Sequence, residues 1–491
     1  MLEALALVRS AKNDLAPINW IPSDVFSLIP GYLEEYDVDE GLITMTHVCR
    51  SWRELLIARP SLWARLDCAN AEKTQVYIEH SKLSPLELSL YNYGDMEYLE
   101  DAFLLVVPHI SRLRSLTIDA VEDLFPCLIP YLSCSVPLLR ELKIDVHHLS
   151  ILDSTLFNGD LQSLCSLSLD RVITHLPWRN LSNLTTFEFS HVLEDEPSIT
   201  QLLDFFKDAH HLRNIVLNDS IPTSSNAPPG RVVSLPCLKN LTIRTDLVHS
   251  VLLNHLSIPV GASLTLDSYF AGNESPVSNF LPKTLENLGN IFPTSSINLS
   301  FYEFKKHVRL GGPNGELHML GKWVNWAEEV FTMDRQILRS LSYFDLSRTK
   351  RLALAQYRPP TVDAVDKSAP YHILSRMKDL RTLTLTRCNN LPFILALNPD
   401  QNSLKCVLCP KLEGIVLYVK GLESYNVEGL MGMAEERASA GMKPASLTVI
   451  GLGELLPWWE VFKLKKYITH VDYKVGEKSP RWDEVPGDED D

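Results

Sequence analysis

The sequence predicts an α/β protein: a small N-terminal head of three short helices, followed by a stack of repeats whose short strands form a curved parallel sheet. Three observations predict it. Residues 20–66 hold closely spaced apolar helical faces punctuated by prolines. From residue 80 onward one apolar spacing recurs at a near-constant interval. The chain has 491 residues, 45% of them apolar and 22% charged. That is a globular composition on a chain too long for one compact core.

The head comes first. Ile21-Pro22 sets a turn, and Ser23 or Asp24 can cap the helix that follows. Val25, Phe26, Leu28, Ile29 and Leu33 then form a wide apolar face. A second helix, from Leu42 to Ile57, presents Leu42, Ile43, Met45, Val48, Cys49, Trp52 and Leu55/Leu56. Pro60 blocks its continuation and restarts the chain at Leu62-Trp63. A unit of about 47 residues is near the lower limit for a self-sufficient core. Its surplus of apolar faces points to docking on another chain. Residues 1–17 read as an arm or helix. Leu2–Val8 is apolar but short, contains Glu3 and follows no basic region, so a helix is expected rather than a signal peptide.

Residues 18–68 resemble an F-box. The resemblance is carried by Ile21-Pro22, the apolar stretch Val25–Leu33, Val48-Cys49-Arg50-Ser51-Trp52-Arg53 and Pro60-Ser61-Leu62-Trp63. Two features depart from the family pattern. Asp24 stands where members often carry Glu, and the acidic segment Glu34–Gly41 lengthens the first connection.

The repeats follow. Leu113-x-x-Leu116-x-Ile118, Leu139-x-x-Leu142-x-Ile144, Leu164-x-x-Leu167-x-Leu169, Leu184-x-x-Phe187-x-Phe189, Leu212-x-x-Ile215-x-Leu217 and Leu238-x-x-Leu241-x-Ile243 share one spacing. Their fourth positions fall at 116, 142, 167, 187, 215 and 241, intervals of 26, 25, 20, 28 and 26. That is the period of leucine-rich repeats. Residues two apart share a strand face, and stacking neighbours buries a continuous core. Looser copies follow Leu264, Ile297, Leu341 and Leu412, and the fullest is Leu380–Leu391 with Cys388 at the Asn/Cys position. Pro197–Ala209, Leu247–Leu256, Val277–Ile291 and Ser424–Ala440 read as helical or irregular arms.

Within the repeat region 80–475, residues 302–378 read as an irregular insertion. Gly311–Gly315 predicts a turn between the arms of a β-hairpin. Residues 476–491 end in Gly-Asp-Glu-Asp-Asp and are expected to be a disordered acidic tail.

A net charge of −15 disfavours nucleic acid as a partner. No apolar run approaches the ~18–20 residues of a membrane span. Nine scattered cysteines suit reduced thiols in a cytoplasmic or nuclear protein. Cys406-Val-Leu-Cys409 has metal-ligand spacing without a second ligand pair, and reads as structural. His147-His148 and His210-His211 are poor chelators as sequence neighbours. No Gly-rich phosphate loop, Gly-x-Ser-x-Gly or His-Glu-x-x-His occurs. No catalytic constellation, metal or cofactor is therefore expected.

What remains is recognition. Side chains between the buried repeat positions face outward from the sheet: Thr117, Asp119, Lys143, Asp145, Ser168, Asp170, Glu188, Asn218 and Arg244 are candidate target-binding residues. The set is hydroxyl-rich and acidic, suited to a basic or polar segment, or simply the solvated side of the sheet. Trp458-Trp459 could anchor a partner or seal the last repeat.

An F-box followed by leucine-rich repeats resembles the F-box/leucine-rich-repeat family. The resemblance implies a substrate receptor of a Skp–cullin–F-box ubiquitin ligase: the F-box docks the Skp-type adaptor, the repeats hold a protein target, and other subunits transfer ubiquitin. Candidate adaptor contacts are Ile21, Pro22, Val25, Leu28, Ile29, Leu33, Val48, Trp52 and Leu62, some of which could instead fill the head's own core. One alternative is a repeat scaffold outside any ligase. Another is an enzyme whose pocket lies beside His318, Trp323 and Trp326.

Overall fold

The computed structural model describes residues 12, 15–26, 28–32, 38–68, 70–91, 96–120, 128–152, 157, 161–174, 181–192, 198–220, 230–245, 250–270, 285–289, 295–301, 305–311, 316–323, 341, 344–356, 368–386, 391–400, 407–419, 424–451 and 458–475. The fold is mixed α/β with parallel sheets, and the chain divides into two units, Met1–Glu194 and Asp195–Asp491.

The first unit opens with a 3-10 turn at Pro17–Trp20, then helix α1 (Ser23–Phe26), a second 3-10 turn (Ile29–Tyr32), α2 (Val38–Thr46), α3 (Arg50–Ile57) and a third 3-10 turn (Pro60–Trp63). The helical face expected over Val25–Leu33 is broken. Pro30 lacks an amide donor and its ring opposes the carbonyl four residues back, so α1 stops at Phe26. The second helix is also two helices rather than one. Cys49 is extended (φ −157°, ψ 170°), and its Sγ accepts from the Trp52 amide at 3.5 Å, which caps α3. Thr46 Oγ1 donates to the Ile43 carbonyl at 2.6 Å, and Arg53 Nε to the Thr46 carbonyl at 2.9 Å, closing α2. The acidic connection is shorter than expected, because Val38–Gly41 is already helical.

Strand β1 (Arg65–Leu66) carries the head directly into the sheet. It is followed by α4 (Ala71–Ser81), β2 (Leu86–Tyr91), α5 (Met96–Val106), β3 (Leu113–Ala120), β4 (Glu141–Leu152), β5 (Ser166–Thr174) and β6 (Thr186–Ser190). Each strand pairs in parallel with the next. The repeat spacing explains the register. Leu116, Leu142, Leu167 and Phe187 form one row and Ile118, Ile144, Leu169 and Phe189 the next. All eight are at most 1% exposed. The turns repeat as well: the Arg140 carbonyl accepts from the amides of Cys165 and Ser166 at 2.7 and 2.9 Å, and the Cys165 carbonyl from those of Thr185 and Thr186 at 2.8 and 3.0 Å.

The second unit contains α6 (Ile199–Asp208), β7 (Asn214–Asn218), β8 (Val233–Ser234), β9 (Asn240–Arg244), α7 (Ser250–Leu253), β10 (Leu256–Ser257) and β11 (Ser263–Phe270). β12 (Ser296–Phe301), β13 (Lys305–Gly311), β14 (Glu316–Trp323), β15 (Arg351–Gln356), α8 (Ser368–Arg376), β16 (Thr382–Thr386) and α9 (Leu391–Leu397) follow. The unit ends with β17 (Gly414–Val419), α10 (Ser424–Ser439), β18 (Ser446–Gly451), α11 (Trp458–Lys465) and β19 (His470–Val475). Ser198 and Gln201 form a capping box that starts α6. Among the described residues of the arm expected at Leu247–Leu256 are the short helix α7 and the start of β10, which pairs with β8. Most of the arm expected at Val277–Ile291, together with Cys388 and residues 476–491, lies outside the described residues.

The hairpin forms, with Lys305 opposite Lys322 and Gly311 opposite Glu316. Its strands take places within the sheet rather than outside it. β14 pairs in parallel with β11, and β13 runs antiparallel between β14 and β12. β12 pairs in parallel with β15, and parallel pairing then continues to β19.

Candidate functional site

The head has an inner and an outer set of apolar side chains. Phe26, Leu42, Leu56 and Trp63 fill its interior. Trp52 lies over Phe26 with ring centroids 4.7 Å apart, and its Nε1 donates to Asn19 Oδ1 at 2.5 Å, so the indole is half-buried and partly structural. Outside this core, Val25, Leu28 and Val48 are 48%, 59% and 53% exposed. Pro22 is exposed too, while Ile21, Ile29 and Leu62 are half-buried. Leu33 lies outside the described residues. Leu15, Ile18 and Trp20 join the exposed set without having been expected there; Trp20 is 68% exposed. Their signal was apolar residues around Pro17, next to the Ile21-Pro22 start.

On the sheet of the first unit the residues between the buried apolar rows are themselves in register, all part-exposed or exposed except the buried Ser190. Thr117, Lys143, Ser168 and Glu188 are in register, as are Asp119, Asp145, Asp170 and Ser190. Ser168 Oγ donates to Glu188 Oε2 at 3.0 Å. The three aspartates sit on adjacent strands, about 4.8 Å apart in the hydrogen-bonding direction. Burial foremost, then the charges of Asp170 and Asp119, push the Asp145 carboxyl up; Arg171 and Lys143 partly offset this.

Three residues not foreseen close the row. Arg171 Nη1 lies 3.6 Å from Asp145 Oδ1 and 3.9 Å from Asp170 Oδ1 and donates to the Val146 carbonyl at 3.2 Å. His191 Nδ1 is 2.8 Å from Asp170 Oδ1, and His147 Nε2 is 3.4 Å from Asp119 Oδ1. Arg171 and His191 immediately follow their strand residues with φ of 54° and 55°, a left-handed backbone that spacing does not reveal.

The last two expected residues, Asn218 and Arg244, are register partners in the second unit, half-exposed and exposed respectively. Four residues earlier in each strand, Asn240 Nδ2 donates to Asn214 Oδ1 at 2.8 Å; those two asparagines are also in register.

Among the described residues, no group of three or more His, Cys, Asp or Glu is placed to hold a metal ion. His147 and His148 are both exposed on β4, and the rings of His210 and His211 are 4.2 Å apart on the surface. Cys409 is buried, with a left-handed φ of 47°, and its thiol donates to the Leu374 carbonyl at 3.3 Å. Burial pushes that thiol up to about 12, far from the thiolate a metal requires. Cys406 lies outside the described residues, as does Trp326; His318 and Trp323 are β14 residues. The side chains of Trp458 and Trp459, which open α11, are also outside them.

No protein-family model matches the chain, and no curated protein matches it significantly. Among the described residues, no helix is long and apolar enough to cross a membrane.

Proposed function

We propose that this chain is the substrate-recognition subunit of a Skp–cullin–F-box type ubiquitin ligase. Its F-box head docks a Skp-type adaptor, and its leucine-rich-repeat stack holds a protein target. One observation carries the reading: Val25, Leu28 and Val48 stay exposed on a head whose own core is already filled by Phe26, Leu42, Leu56 and Trp63. Apolar side chains left outside a filled core are the raw material of a docking surface. The chain itself makes and breaks no bonds. It raises the effective concentration of target lysines near the conjugating enzyme, in the cytoplasm or nucleus. The rows from Thr117 to Glu188 and from Asp119 to Asp170 are the target-facing surface in this reading.

The test is co-expression with a Skp-type adaptor followed by co-purification and affinity measurement. Val25→Asp, Leu28→Asp and Val48→Asp should each weaken adaptor binding by about 30-fold, as for a hot-spot residue worth ~2 kcal/mol. Leu83→Asp, at an 89% exposed site beyond the head, should leave it unchanged. Absence of adaptor binding, or Leu28→Asp binding like wild type, would overturn the reading in favour of a repeat scaffold outside any ligase.

A further inference from the structure

The turns that lead into β15, β16 and β17 carry a charge opposite to that of the chain. The Lys350 carbonyl accepts from the amides of Arg381 and Thr382 at 2.8 and 3.0 Å, and the Arg381 carbonyl from those of Glu413 and Gly414 at 2.8 and 2.9 Å. Lys350, Arg381 and Glu413 therefore stand side by side at adjacent strand entries, about 4.8 Å apart. Two residues earlier in each turn come Arg348, Asp379 and Lys411. Arg351, the first residue of β15, and Lys378, before β16, flank these two rows. All six cations are exposed. Asp345, Asp379 and Glu413 are the carboxylates on the same turns, so six cations against three anions leave a local charge of +3 on a chain of net charge −15.

Only some of these cations are paired. Lys411 Nζ donates to Asp379 Oδ1 at 2.6 Å, and Arg381 Nη1 to Glu413 Oε1 at 3.2 Å. The Lys411 hydrogen bond foremost, joined by the charges of Lys411, Arg381 and Lys350, holds the Asp379 carboxyl below its usual range. Among the described residues, Lys350, Arg351 and Lys378 meet no carboxylate at ion-pair distance. Both existing pairs join one carboxylate to one cation of the neighbouring turn. Single carboxylates at strand spacing therefore match the cations that remain, whereas a phosphate dianion calls for several donors converging on one group. Three or four residues of extended chain span the ~10 Å from the first strand entry to the third. Nucleic acid and anionic membranes present long negative arrays, which the rest of so acidic a chain repels.

We propose that the edge formed by Arg348, Lys350, Arg351, Lys378, Arg381 and Lys411 docks an extended, carboxylate-rich segment of a partner protein. The partner's carboxylates meet Lys350, Arg351 and Lys378, and compete with Asp379 and Glu413 for Lys411 and Arg381. This stands independently of the ligase reading.

Fluorescence anisotropy of a labelled hexaglutamate peptide, titrated with the full chain, tests it. Binding should saturate at low salt and be lost in 1 M salt, where the screening length is ~3 Å. Lys350→Ser and Arg351→Ser should each weaken it about two- to five-fold, the scale of one exposed ion pair, and the double variant Lys350→Glu/Arg351→Glu by about ten-fold or more. Asp379→Asn should tighten it about two-fold, because it releases Lys411. Lys143→Ser on β4 and Asp208→Asn on α6 make the same changes of charge elsewhere and should leave it unchanged. Absence of binding, a double variant that binds like wild type, or Lys143→Ser and Asp208→Asn shifting affinity as much as the changes at the edge would each overturn the proposal. So would a phosphoserine peptide or a single-stranded oligonucleotide that displaces the probe at lower concentration than unlabelled hexaglutamate.

Discussion

Arg437 on α10 reaches back to the Leu408 carbonyl, which its Nη1 meets at 2.7 Å, and its Nη2 meets the neighbouring Cys409 carbonyl at 2.8 Å. The Cys409 thiol in turn bonds the Leu374 carbonyl, so the segments that precede β16, β17 and β18 are joined by side chain to backbone. Arg376 does the same one stage earlier, donating to the carbonyls of Leu341 and Phe344 at 3.1 and 2.6 Å.

Arg437 is fully buried, so truncating it strands two carbonyls that water does not reach. Arg437→Ala should cost about 3 kcal/mol, two charge-assisted hydrogen bonds at ~1.5 kcal/mol each. Arg437→Lys should recover little, because a point charge on a flexible stem cannot serve both carbonyls as a planar fork does. Urea unfolding is the measurement. A lysine variant as stable as wild type would mean that charge alone matters.

Trp63 couples the head to the sheet. Its Nε1 donates to the Leu56 carbonyl at 3.0 Å, and its ring lies 5.1 Å from Tyr77 and 4.7 Å from His80 on α4. Trp63→Ala should cost about 3–5 kcal/mol. It should also let limited proteolysis separate the head from the strands at protease levels the wild type withstands. Thermal unfolding and cleavage mapping check both; a stable variant cut at the same rate would refute the coupling.

The strands were legible because a two-residue alternation leaves little choice. Leu116, Leu142, Leu167 and Phe187 had to share one face, and they share one row. The aspartates of 119, 145 and 170 followed by the same logic. Arg171 and His191 did not, because their part depends on a left-handed backbone residue, within β5 for Arg171 and directly after β6 for His191. The antiparallel pairing of β13 with β14 followed from the glycines between them in sequence, whereas the place of the two strands inside the sheet depends on partners far away in sequence. In the head, apolar spacing alone could not show the end of α2, which is made by bonds from Thr46 and Arg53 to the backbone.

The aspartate row has a pH signature. The Asp145 carboxyl is raised in the folded state, so the native chain holds that proton more firmly than the unfolded one. Its contribution to stability is therefore greatest at low pH and declines as pH rises through the folded value. Asp145→Asn removes the burden: it should be more stable than wild type at pH 7 by a few tenths to ~1 kcal/mol, the scale of a like-charge cross-strand pair. The gap should close toward pH 3. Denaturation curves across pH test the sign, and a variant less stable at pH 7 would show that the Arg171 contact outweighs the repulsion.

Cys49 separates α2 from α3 through its extended backbone and its Sγ contact with the Trp52 amide. A thiol is a weak acceptor, and a hydroxyl is among the best side chains for this position. Cys49→Ser should therefore hold or raise stability by a few tenths of a kcal/mol, whereas Cys49→Ala should lose about 0.5–1 kcal/mol. Trp52 follows the cap in the same turn and packs tilted against Phe26, so the alanine variant should also change the indole fluorescence, and the serine variant should leave it as it is. If serine and alanine behave alike in both measurements, the break between the helices is held by packing rather than by the cap.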